Sequence, residues 1–175
     1  MNLRNTIVIG IILSKKRRTL SMATEFVKLK GTAKWARVFE DNRDLYGFEG
    51  AAKEYGGQYV IDVYADKENL DKLKASGSRI RPKLDTDGKM FVKFKRKHEG
   101  PFEAASGAPK VTNKAGDVWS FEDDGPIGNG SEVEVDLVVY DTRMGKGTRL
   151  EGVKVLSLVE YKETSGPREK EEELF

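Results

Sequence analysis

The chain has 175 residues, 38% of them hydrophobic and 34% charged, which suits one soluble globular domain with appendages and a core of its own. It contains no cysteine and one histidine, His98, so disulfides, thiolate metal sites and cysteine nucleophiles are excluded, and a histidine-based triad or metal site has little to build on. The formal charge of +2 is unevenly spread: residues 1–21 carry Arg4, Lys15, Lys16, Arg17 and Arg18 without an acid, which leaves the chain from Met22 onward net acidic. An electrostatic partner must therefore be met by a local patch.

In chain order, "TIVIGIIL" near the start is far shorter than the roughly 20 residues of a membrane span, and "KKRR" follows the apolar run where a signal peptide would place its basic residues first. Residues 1–21 are expected to be a disordered extension or the product of an upstream start, with a basic arm for nucleic acid or a membrane surface as the alternative. From Phe26 the pattern has period two. "FVKLKGTAKWARVF" predicts one long strand with a bulge or sharp coil at Gly31, able to serve two sheets. "GGQYVIDVYA" predicts a second strand. "DKENLDKLKASG" predicts the single short helix, with Asp66 as N-cap, Leu70 and Leu73 on one face and Gly77 as the stop.

The turn "DTDG" introduces a third strand, "GKMFVKFKRK". Residues 99–109 read as loop, "KVTN" and "DVWSF" as short extended pieces, and "EDDGPIGNGS" as loop. "EVEVDLVVYD" and "TRLEGVKVLSLVEY" predict two more strands joined by "RMGKG". The expected fold is mainly β: a five-stranded barrel of the oligonucleotide/oligosaccharide-binding (OB) kind with one short helix and long loops. The domain spans 22–161, and 162–175 is expected to be a disordered acidic tail.

Alternation divides the third strand into two faces. Met90, Val92, Phe94 and Arg96 fall on one, and Phe91, Lys93, Lys95 and Lys97 on the other. A ring followed by three cations is what an open nucleic-acid surface needs, stacking for bases and charge for phosphates. The other reading is a solvated edge strand that uses lysines against aggregation. Arg79 and Arg81 add to the local positive charge, and Trp35, flanked by Lys34 and Arg37, is the best further aromatic candidate. Of the other rings, Phe39, Tyr46, Phe48, Tyr59, Tyr64, Trp119 and Phe121, most are expected in the core.

Catalytic signals are weak. "GPIGNGS" and "GKGTRLEG" lack the phosphate-loop spacing and read as turns. Glu122, Asp123 and Asp124 read as a solvated cluster rather than a metal site, and His98 as a surface residue or phosphate contact. No cofactor or metal is expected, and the chain reads as non-enzymatic.

"GNGSEVEV", "GVKVLSLVEY" and "EEELF", in that order, resemble the phage-type single-stranded DNA-binding proteins of DNA replication, over most of residues 26–175. The resemblance implies an OB barrel that coats unpaired DNA during replication, recombination and repair. It also implies a C-terminal tail, here Glu171, Glu172, Glu173, Leu174 and Phe175, that contacts replication proteins such as DNA polymerase and helicase–primase. A phage-encoded chain would work in the cytoplasm of an infected bacterial host. Duplex DNA and a second copy of the chain stay open as partners, and no membrane role is expected. The tail is expected to compete with DNA, its glutamates standing in for phosphates and Phe175 for a base. An RNA-binding OB module or a non-catalytic replication accessory factor is the alternative.

Overall fold

The computed structural model describes residues 24–161, and the expected N-terminal extension and acidic tail lie outside the described residues. The described chain runs β1 (Glu25–Arg37), β2 (Gln58–Tyr64), α1 (Lys67–Ala75), β3 (Lys83–Leu84), β4 (Met90–Lys97), β5 (Lys110–Asn113), α2 (Phe121–Asp124), β6 (Glu132–Thr142) and β7 (Gly145–Ser157). The sheet order is β3-β4-β2-β1-β6-β7-β5, antiparallel except for β5 on β7. The fold is mainly β, as expected. The five long strands are the predicted ones, and β3 and β5 extend the sheet at its two edges.

β1 does serve two partners. Glu25–Thr32 pair with β6, and the strand then bends so that Thr32–Arg37 pair with β2. The bend needs Gly31, because a Cβ there would lie 2.5 Å from the Tyr64 carbonyl oxygen. The bulge itself falls later than expected, between Lys34 and Arg37.

Curvature brings β4 towards β7, and a side chain rather than a ladder spans that seam. The Arg96 guanidinium donates to the Leu150 carbonyl at 3.3 Å and the Glu151 carboxylate at 3.1 Å. Its remaining donors reach the carbonyls of Gly107 at 2.8 Å and of Ala104 and Ser106 at 3.0 Å each. A buried charge with every donor satisfied is tolerated, and this one ties the 99–109 loop to the barrel.

The core is the inward face of the alternation: Leu29, Ile61, Val63, Val92, Phe94, Val133, Val135 and Leu150 are all but inaccessible. Burying each such side chain contributes about 1.5–3 kcal/mol. One end is covered by Phe39 against Phe121, with ring centroids 5.2 Å apart, and the other by Leu73 of α1. As predicted, the Asp66 carboxylate caps α1, accepting from the Asn69 amide at 2.9 Å, and Gly77 leaves the helix at φ +80°.

Three expectations need correction. β7 stops at Ser157, so the predicted strand overran. "DVWSF" is not extended throughout, since Ser120 caps the one-turn helix α2 by accepting from the Asp123 amide. The sequence between β1 and β2 forms three 3-10 turns in place of a simple turn. No helix among the described residues is long and apolar enough to cross a membrane.

Candidate nucleic-acid interface

β4 keeps the two faces that its alternation predicts: Val92, Phe94 and Arg96 are buried, whereas Phe91 and Lys93 are half-buried and Lys95 and Lys97 exposed. Strand register assembles the rest of the outer face. Lys93 sits opposite Asp62, Lys95 opposite Val60 and Lys97 opposite Gln58. Asp62 in turn faces Lys34 on β1, and Lys83 of β3 faces Phe91. Ring centroids of Phe91 and Tyr64 lie 5.5 Å apart, and the Lys34 ammonium stands 4.7 Å from the Tyr64 centroid. Two adjoining rings edged by cations thus form a platform near the middle of the β1–β2–β4 surface.

The lysines are not equivalent. Lys93 pairs with the Asp62 carboxylate at 3.5 Å. Burial raises the Asp62 carboxyl above its ordinary value, and the Lys93 ammonium opposes that shift. The Lys97 ammonium lies 4.5 Å from the centroid of Tyr55. Lys95 forms no ion pair among the described residues. The Tyr64 phenol is pushed up to about 12, first by desolvation and then by its hydrogen bond to the Asp85 carboxylate, so it stays a neutral ring.

Trp35 stands at the bulge with φ +52°, a conformation that costs a bulky residue of order 1–3 kcal/mol. The Asn129 side chain holds it by accepting from the Trp35 amide at 2.8 Å, so the "GNG" loop, read as a plain turn, positions the bulge. The indole is 66% exposed, and Arg37 beside it is exposed opposite Val60. Tyr46 and Phe48, also exposed, project from the 3-10 turns that precede β2.

Other expected site residues lie elsewhere. Arg79 and Arg81 are not on the lysine face: the connection from α1 to β3 carries them along a groove beside the helix. The Arg79 guanidinium donates to the Met144 carbonyl. His98 is half-buried, its Nδ1 2.8 Å from the hydroxyl of buried Tyr59, so it is not a free surface imidazole. Phe39 and Tyr59 are buried and Trp119 and Phe121 pack on the core, as expected for most rings.

Asp62 and Tyr55 were missed as parts of the site. The alternation of "QYVIDVY" does place Asp62 with Tyr64, but its pairing with Lys93 depends on inter-strand register. The remaining half of the sheet is different in charge: Lys28 is paired to Asp136 at 2.9 Å, and Lys30 faces Glu134. That surface offers phosphates alternating signs. No group of three or more metal-ligating side chains occurs among the described residues.

No protein-family model matches this chain, and no curated protein matches it. Among solved structures it is similar to gp2.5, a single-stranded DNA-binding protein encoded by bacteriophage T7, at 19% identity over 82% of this chain and 97% of that one, with a TM-score of 0.47. It is also similar to the single-stranded DNA-binding protein from bacteriophage Enc34, at 14% identity over 81% of this chain and 86% of that one, with a TM-score of 0.49. The C-terminally truncated form of the Enc34 protein gives 14% identity over 77% and 87%, with a TM-score of 0.48. All three are bacteriophage single-stranded DNA-binding proteins, the group that the sequence resembles.

Proposed function

We infer that the chain is a non-enzymatic protein that coats single-stranded DNA with little sequence preference during replication, recombination and repair. The observation that carries this reading is the Tyr64–Phe91 ring pair set among Lys34, Lys83, Lys93 and Lys95 on one open sheet face. Every base has a π-face, so rings of this kind bind without regard to sequence, while the lysines neutralise the strand. Trp35, Arg37 and Lys97 extend the surface. The C-terminal segment 162–175 recruits replication proteins and weakens DNA binding through its negative charge.

Titrating fluorescent single-stranded DNA, single-stranded RNA and duplex DNA of one mixed sequence into the full chain tests the reading. Tightest binding to the single-stranded DNA, repeated with a second unrelated sequence, is the expected result. Tighter binding to RNA would make the chain an RNA-binding module, and no binding to any strand at low salt would leave an accessory factor.

A further inference from the structure

Beside α1, and outside the lysine face, the chain forms a groove of about 970 Å³, at the upper end of the roughly 300–1,000 Å³ that ligand pockets span. Ala65, Leu70, Ile80, Pro82 and Met90 give it an apolar lining. Its charged lining is mostly basic: Lys74, Arg79 and Arg81 are exposed, and Lys67 is paired to Asp71, the one acid there, at 3.4 Å. No aromatic side chain lines it, so it offers bases no stacking platform.

We propose that this groove is the docking site for the chain's own segment Glu171–Phe175. The segment's order of chemistry matches the groove: Glu171, Glu172 and Glu173 meet Lys74, Arg79 and Arg81, and Leu174 and Phe175 enter the apolar interior. The N-terminal "KKRR" segment would set four cations against the same basic rim and is the poorer fit. Reach is sufficient, since the ten residues from Tyr161 to Glu171 span up to about 33–36 Å when extended, against a radius of gyration of about 14 Å for a domain of this size. β3 lies at the edge between groove and face, with Lys83 opposite Phe91. A docked tail therefore lowers the positive potential next to the DNA face without covering its rings. The site stands independently of whether that face binds DNA.

The chain has no cysteine, so introduced thiol pairs report proximity directly. In the full chain, Glu172→Cys is combined with Arg81→Cys, with Lys74→Cys, or, as the reference, with Lys95→Cys on the lysine face. Under mild oxidation the first two pairs should close as monomers roughly tenfold faster than the reference, because docking raises the effective concentration of the segment at the groove. Adding Leu174→Ser and Phe175→Ser should abolish that advantage, as should 1 M salt. Melting temperatures check that each variant is folded, and either rim pair suffices if the other is destabilised. Equal rates at all three positions, faster closure at Lys95, or covalent dimers in place of closed monomers would overturn the proposal.

Discussion

Asp62 decides how many cations the lysine face can offer a phosphate backbone. While its carboxylate holds Lys93 at 3.5 Å, that ammonium is largely neutralised. Asp62→Asn should therefore tighten single-stranded DNA binding and steepen the dependence of log K on log salt by about 0.7, the release expected for one more contact. The same residue has a pH signature. Because burial raises its carboxyl in the fold, its contribution to stability is fully present below the ordinary 3.8 and is lost as pH rises through the raised value. Urea denaturation at stepped pH should give a flatter profile for Asp62→Asn across that window, and parallel profiles would contradict the assignment. Phe91 acts differently, through stacking on a base. Phe91→Ala should cost roughly 1–3 kcal/mol of binding and leave the salt slope unchanged. The ring is half-buried on the outer face, so the melting temperature should change little; unfolding would mean that Phe91 carries the core instead.

β4 was the most legible element because its period-two pattern is unbroken, and both faces could be assigned from eight residues. β1 was legible in extent and in its two-sheet role, but not in phase. The bulge at Trp35 resets the alternation, and it depends on Asn129, ninety-four positions away, which no local pattern reports. Arg79 and Arg81 were assigned by charge density along the sequence, yet the turn after α1 carries them to the helix side. Arg96 was placed correctly on the apolar face without its purpose being visible: a lone arginine in such a row was the signal for a buried clasp across the β4–β7 seam. Arg96→Ala leaves Glu151 without that partner and strips four carbonyls of their donors. Denaturant unfolding should register a loss of about 3–5 kcal/mol. Hydrogen exchange should quicken at Gly107, whose amide donates to the His98 carbonyl at 2.8 Å. A loss within experimental error of zero would mean that the seam is held by the surrounding apolar packing alone.

Across the whole molecule, function follows from an uneven distribution of charge rather than from its sum. A chain of net +2 presents one face with cations around rings and another on which lysines are matched by acids, so a polyanion has one favourable orientation. Segment 162–175 contributes three cations against five acids, and its removal should tighten DNA binding a few-fold at low salt and hardly at all above about 0.15 M, where the Debye length is roughly 8 Å. Equal tightening at every salt concentration would point to direct occupation of the ring platform. The central claim is that the outer face of β4, with β1 and β2, is the DNA site. It is tested most directly by titrating a labelled single-stranded oligonucleotide over a series of salt concentrations with the native chain and with Lys93, Lys95 and Lys97 all changed to Gln. A linear fall of log K with log salt is predicted for the native chain, with a slope smaller by about one to two in the triple variant and the same change for unrelated sequences. An unchanged slope in a folded triple variant would place the DNA elsewhere on the molecule.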